Sequence, residues 1–180
     1  MSDEWFKTRR DLNAAEKDMI EAFRDEHRSI NKKLLNSFVT GFLSSYRLHK
    51  SLLDVEEGER VRERVMSFFK ELQDLDAWYI SHDYRIMHGL SEGDAEFIGR
   101  SLGKFLAYID YGIISHAEFS EEDYFVIEDR SIQYSKFIKK LDRKIKPKFI
   151  IKRLMQIARK HPDLDDKRKK LIIRIAAHFA

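Results

Sequence analysis

Residues 91–113 read SEGDAEFIGRSLGKFLAYIDYGI. Ser91 followed three residues later by Asp94 has the form of a capping box. The hydroxyl accepts from an orphan amide of the first turn, and the carboxylate reaches back to the cap. Ile98, Leu102, Phe105, Leu106, Ile109 and Ile113 then recur at steps of three and four, which places them on one side of an α-helix. Gly99 and Gly103 lie four apart inside this helix. Each costs about 1 kcal/mol against alanine, so the spacing predicts a packing reason, a large aromatic or a crossing backbone set against the pair. A ligand approaching the backbone is the other use of such a pair.

The same periodicity extends in both directions. Upstream, Asn13-Ala14-Ala15-Glu16 reads as another capping box. Ala15, Met19 and Phe23 follow, and beyond a polar gap come Ile30, Leu34, Leu35, Phe38, Val39, Phe42, Leu43 and Tyr46. A helix break is expected near Arg28-Ser29. Asp54-Val55-Glu56-Glu57-Gly58 interrupts the pattern, and Val61, Val65, Phe68, Phe69, Leu72, Leu75, Trp78 and Tyr79 carry a further stripe to about Ile80. Downstream, Ser120-Glu121-Glu122-Asp123 opens a helix with acids at the positive end of its dipole. Its apolar positions are Tyr124, Ile127, Tyr134, Ile138, Leu141 and Ile145. Pro147 ends it or begins the next. Phe149, Ile150, Leu154, Ile157 and Ala158 mark a short helix to Lys160. His161-Pro162-Asp163 then leads into a last helix, Leu164–Phe179, with Asp163 as its cap and Leu164, Leu171, Ile172 and Ile175 inward.

No repeat and no convincing strand interrupt this series. The fold predicted is all-α, a helical bundle of six or seven helices ending in a basic helical hairpin. Residues 1–118 form an acidic helical body, and the basic C-terminal helices of residues 119–180 pack on it as one domain. A chain of 180 residues is long enough to bury a core. Thirteen Phe, seven Tyr and two Trp supply it despite a 36% share of charged residues. Seven Gly and two Pro are too few for the turns of a many-stranded sandwich or barrel. The absence of cysteine excludes a disulfide scaffold, thiolate metal ligation, an iron–sulfur cluster and thiol catalysis. No stretch approaches the ~18 uncharged apolar residues of a membrane span, and the first ten residues lack an apolar signal core. No membrane association and a cytoplasmic location are the expectations.

Charge is divided unevenly. From Gln133 to Ala180 there are sixteen Lys and Arg against four Asp and Glu, a balance of +12. Residues 1–132 carry eighteen against twenty-seven, a balance of −9. Such asymmetry points to a polyanion as partner, or to attraction between the two halves. The final two helices and their short turn have about the dimensions of a helix-turn-helix. Lys167, Arg168, Lys169, Lys170 and Arg174 lie on the second of them, where a recognition helix presents charge. Without Asn, Gln, Ser or Thr there, the vocabulary for reading bases is small, and backbone contact is the expected mode. A second basic stripe runs through Lys136, Lys139, Lys140, Arg143, Lys144, Lys146, Lys148, Lys152 and Arg153. The candidate nucleic-acid contacts are therefore Lys136, Lys140, Arg143, Lys144, Lys152, Lys167, Arg168, Lys170 and Arg174.

Catalytic and cofactor motifs give little to set beside this. His82 and His88 are six apart, not the spacing of a helical metal pair. The segment Trp78–Leu90 resembles the proximal region of globin-type sensors in its aromatics and His88, but its spacing differs and no distal partner accompanies it. Arg174-Ile175-Ala176-Ala177-His178 is similar to the Arg-to-His motif of helical ribonucleases, at a shorter spacing. His116-Ala117-Glu118 and Asp163-Leu164-Asp165-Asp166 read as loop and cap residues. No phosphate loop, nucleophile motif or dinucleotide fingerprint is present. The expectation is a non-enzyme without metal or cofactor that accompanies DNA or RNA in a nucleoprotein assembly. The alternative is a protein-interaction module or homo-oligomer, whose surface would draw on Phe38, Phe42, Phe68, Phe69 and Trp78.

Overall fold

The computed structural model describes residues 14–26, 32–72, 91–114, 119–140, 148–160 and 164–180. Among these residues all regular secondary structure is helical: α1 Ala14–Glu26, α2 Lys32–Val55, α3 Glu59–Glu71, α4 Glu92–Ala107, α5 Glu121–Lys140, α6 Lys148–Lys160 and α7 Asp166–Phe179. α4 continues directly into one π-helical turn, Tyr108–Ile113. The all-α bundle of six or seven helices is thus the architecture observed. No described helix is long and apolar enough to cross a membrane.

Helix starts follow the local chemistry. Ser91 Oγ accepts from Asp94 N at 3.1 Å while Asp94 Oδ2 accepts from Ser91 N at 3.2 Å. Ser120 and Asp123 repeat the arrangement at α5, at 3.1 and 3.0 Å. Asp123 also receives both Nε and Nη2 of Arg62, at 2.7 and 2.8 Å, which ties α3 to α5. These bonds from Arg62, and those from Ser120, hold its carboxyl below the usual carboxylate range. The interruption expected after Asp54 is a turn closed at Gly58, whose φ of +56° suits glycine. α7 begins at Asp166, two residues later than expected, and its cap is Asp165 rather than Asp163: Asp165 Oδ1 accepts from Arg168 N at 2.8 Å. Asn13, the break near Arg28, the extension to Ile80, Pro147 and Asp163 lie outside the described residues.

The glycine pair finds its explanation in α2. A Cβ on Gly99 would fall on the Phe38 carbonyl oxygen and 3.0 Å from Phe42 N. One on Gly103 would fall on the Phe42 carbonyl oxygen and 3.1 Å from Tyr46 N. Gly41 answers from α2, facing the Glu96 carbonyl and Arg100 N. The register advances together on both helices, so α2 and α4 run parallel with their backbones touching. That approach swings Phe38, Phe42 and Tyr46 to the side, where their rings stack 6.3 and 5.8 Å apart. Phe149 of α6 meets the first two edge-on.

One hydrophobic cluster extends from Met19 to Phe179. Phe179 is buried against Phe105 of α4 and Tyr134 of α5, at 5.6 and 6.2 Å between ring centroids. Phe38, Phe42, Phe68 and Phe69, expected as possible partner surface, are all buried in this core. Trp78 lies outside the described residues. Among the described residues the exposed large apolar side chains are instead Leu48, Val55, Phe125 and Ile173.

Candidate functional site

The basic C-terminal third divides into charges that hold the fold and charges that face water. Arg153 of α6 is 12% exposed and donates to Asp110, itself 3% exposed, on the π turn. Tyr46 donates to the same Asp110 oxygen at 2.7 Å, with the Tyr111 hydroxyl 3.5 Å away. Burial opposes the Arg153 charge, but the Asp110 carboxylate outweighs it and keeps the guanidinium protonated. Burial, and then Asp110, push the Tyr46 phenol well above the ordinary tyrosine range, so it remains a donor.

The π turn makes this cluster possible. Five of its six residues are buried: Tyr108, Ile109, Asp110, Gly112 and Ile113. A regular amphipathic turn would send some of them to solvent. Widening it by one residue per turn directs Asp110 inward with its apolar neighbours.

Arg168 is likewise committed to structure. Its Nη1 donates to the Ile113 and Ile114 carbonyls at 3.1 and 2.9 Å, and its Nε to Asp165 at 3.1 Å. It thereby satisfies carbonyls left open at the end of the π turn. Lys167 pairs with Glu121 at 3.1 Å and Arg174 with Glu128 at 2.8 Å, joining α7 to α5. Of the remaining candidates, Lys136, Lys152 and Lys170 are exposed and make no ion pair among the described residues. Lys140 closes α5, and Arg143 and Lys144 lie outside the described residues. Lys139, Lys148, Lys169 and Arg159 are also exposed without an acidic partner among the described residues. His178 is exposed on α7, while the Arg174 guanidinium is taken by Glu128. His82, His88 and His116 lie outside the described residues.

Sequence reasoning does not single out the cluster of Tyr46, Asp110 and Arg153. The signal that could have found it is an aspartate inside the apolar stripe of α4, a position that requires a buried partner. Nor does it single out His49, whose ring lies 5.3 Å from Tyr108 beside a cleft between α3 and α4. Among the described residues no cluster of three or more His, Asp or Glu could hold a metal ion. Comparison with protein-family models, with curated proteins and with solved structures finds no match.

Proposed function

We propose that the protein is a non-enzymatic nucleic-acid-binding accessory subunit that contacts the phosphate backbone through its C-terminal third. The supporting observation is the set of exposed cations without acidic partners among the described residues, with Lys136, Lys152 and Lys170 as its core. Like charges held on one third of a folded chain repel each other, and a polyanion relieves that cost. Backbone contact follows from the residue types, because lysine meets phosphate as a point charge and these helices offer few groups for base edges. Arg168 and Arg174 belong to the framework that carries the lysines rather than to the binding surface, whereas Lys167 pairs with Glu121 at the surface.

The test is binding of labelled single- and double-stranded DNA and RNA across a salt series. Binding is expected to weaken steeply with salt. In the triple variant Lys136→Glu, Lys152→Glu, Lys170→Glu, the log–log slope should become shallower by about one for each phosphate that is no longer neutralised. Helicity should be unchanged. No binding at low salt, or an unaltered slope in the triple variant, refutes the reading.

One observation favours a second reading, a helical module that binds a basic protein segment. Phe125 on α5 is 71% exposed. Its helical neighbours three and four residues away are Glu121, Glu122, Glu128 and Asp129. Glu121 and Glu128 already pair with Lys167 and Arg174, and Phe125 with Glu122 and Asp129 suits an apolar anchor flanked by Lys or Arg. Failure to bind nucleic acid, together with a salt-sensitive complex abolished by Phe125→Ala, would favour it.

A further inference from the structure

α2 and α4 touch backbone to backbone, whereas α3 leans on α5 and the π turn. The space left between α3 and α4 is a cleft with two compartments of about 410 and 480 Å³, which share Phe68, Glu71 and Lys104. Each is of the size that holds small molecules. The first is largely apolar, lined by Phe68, Leu72 and Phe97 with Ser45 and Ser101, and Arg100, paired with Glu96, at its edge. The second is polar, with His49, Arg64 and Tyr108 on its inner side.

Charge is graded across the cleft. Glu63, Glu71 and Arg60 are exposed at its mouth, where water screens them. Deeper in, Glu56 is occupied by Arg64 at 2.8 Å. Lys104 is half-buried and makes no ion pair among the described residues, although the exposed Glu71 lines the same junction; its Nζ sits 5.3 Å from the Phe68 ring centroid. Phe68 in turn stacks on Tyr108, 4.3 Å between centroids and 12° from parallel. His49 Nδ1 and Arg64 Nε are buried with no hydrogen-bond partner. His49 responds to this surrounding: burial, and then the positive charges of Lys104 and Arg64, bring its pKa down to about 4. The imidazole is neutral at neutral pH, so it offers no opposing charge and no competing cation.

We infer that this cleft binds a small amphipathic anion, its apolar body along Phe68, Leu72 and Phe97 and its carboxylate or phosphate head at Lys104. Lys104 over the Phe68 ring stands between the compartments, so the head and the body of one ligand meet the same aromatic wall. The site lies on α2, α3 and α4, apart from the C-terminal lysines, and does not rest on the nucleic-acid reading.

The test titrates decanoate and phenyl phosphate into the full chain by calorimetry, with decanol and decyltrimethylammonium as comparators, while NMR follows the His49 imidazole. Binding of one or both anions is expected, and which of them binds distinguishes a fatty carboxylate from an aromatic phosphate. Bound phenyl phosphate, which is still an anion where His49 titrates, should raise the His49 midpoint by about one unit, because it stabilises the protonated ring. Lys104→Met keeps the aliphatic stem and should weaken the anion about tenfold while leaving decanol nearly unchanged. Lys104→Arg should restore binding, and circular dichroism checks that both variants fold. Four outcomes overturn the inference: no binding of either anion at millimolar concentration, equal binding of the quaternary ammonium, unchanged anion affinity in folded Lys104→Met, or a His49 midpoint unmoved at saturation with phenyl phosphate.

Discussion

Replacing Gly99 by alanine tests whether the fold is organised by the approach of α2 to α4. In an ordinary helix the change stabilises by about 1 kcal/mol. Here the added methyl would meet the Phe38 carbonyl and Phe42 N, both main-chain atoms of α2. A side chain could rotate away; a helical backbone cannot, so the two helices must separate along this register. Overpacking of this kind costs about 1–3 kcal/mol, occasionally more, and a backbone obstacle puts the cost at ~3 kcal/mol. Subtracting the propensity gain leaves a net destabilisation of about 2 kcal/mol, or roughly 4–8 °C in melting temperature for a chain of this size. Gly103→Ala meets the Phe42 carbonyl and should behave alike. The double variant should be destabilised by less than the sum, because one separation accommodates both methyls. Gly93→Ala is the internal control: its Cβ would lie 3.7 Å from Ser91 Oγ at an exposed position, and it should be neutral or stabilising. Urea and thermal unfolding followed by circular dichroism read all four variants. If Gly99→Ala proves as stable as Gly93→Ala, the two helix backbones do not touch and the argument fails.

Two further perturbations address the polar interior. Asp110→Asn leaves the Arg153 guanidinium buried without its counter-charge and should cost about 3–5 kcal/mol in urea unfolding; adding Arg153→Met should recover part of that deficit. A single variant without penalty would show that the pair is not buried in solution. Stability should also decline as pH falls from about 6.5 to about 4, the two titration points of His49 when unfolded and folded. Over that interval the unfolded chain binds a proton that the folded chain refuses. The groups bearing on His49 are Lys104, Arg64 with Glu56, and Tyr108, with Arg60, Glu63 and Glu71 further out. His49→Gln should flatten that part of the stability profile, and an unchanged profile would refute the assignment.

Helices and their caps are readable from the sequence because they depend on neighbours three and four residues away. Ser91 with Asp94 and Ser120 with Asp123 act within one turn, and each is found as expected. The Gly99–Gly103 pair is readable as a close approach, though the carbonyls of α2 that it admits lie some sixty residues earlier in the chain. The cap of α7 is not readable. Asp163, Asp165 and Asp166 are chemically alike, and the choice between them turns on Arg168, which needs Asp165 on one side and the Ile113 and Ile114 carbonyls on the other. The π turn is hidden for a related reason. Its stripe continues that of α4, and the partners that meet Asp110 there, Tyr46 and Arg153, come from distant parts of the chain. Phe38, Phe42, Phe68 and Phe69 lie in the core rather than on a partner surface, and composition counts rings without showing that packed helices share them.

The uneven charge of the chain has two physical uses, and residue type separates them. Three of the four described arginines in the C-terminal third join helices: Arg153 to Asp110 and Arg168 to the π-turn carbonyls reach into the body, and Arg174 to Glu128 ties α7 to α5. A planar guanidinium can make several fixed hydrogen bonds at once and is weakly hydrated, so it suits half-buried joints between helices. The lysines behave differently. Lys136, Lys139, Lys148, Lys152, Lys169 and Lys170 stand in water without acidic partners among the described residues. The pairing of Lys167 with Glu121 is exposed on both sides and contributes little to stability. Attraction between the acidic body and the basic third therefore runs mainly through arginine, and it does not consume the lysine charge. That residual charge is what a partner would meet. Converting the exposed lysines should alter association and leave folding intact, whereas converting Arg153 or Arg168 should do the reverse. Because the two sets share the C-terminal helices but not a purpose, the same assays of stability and binding, applied to both, separate the scaffold from the surface it presents.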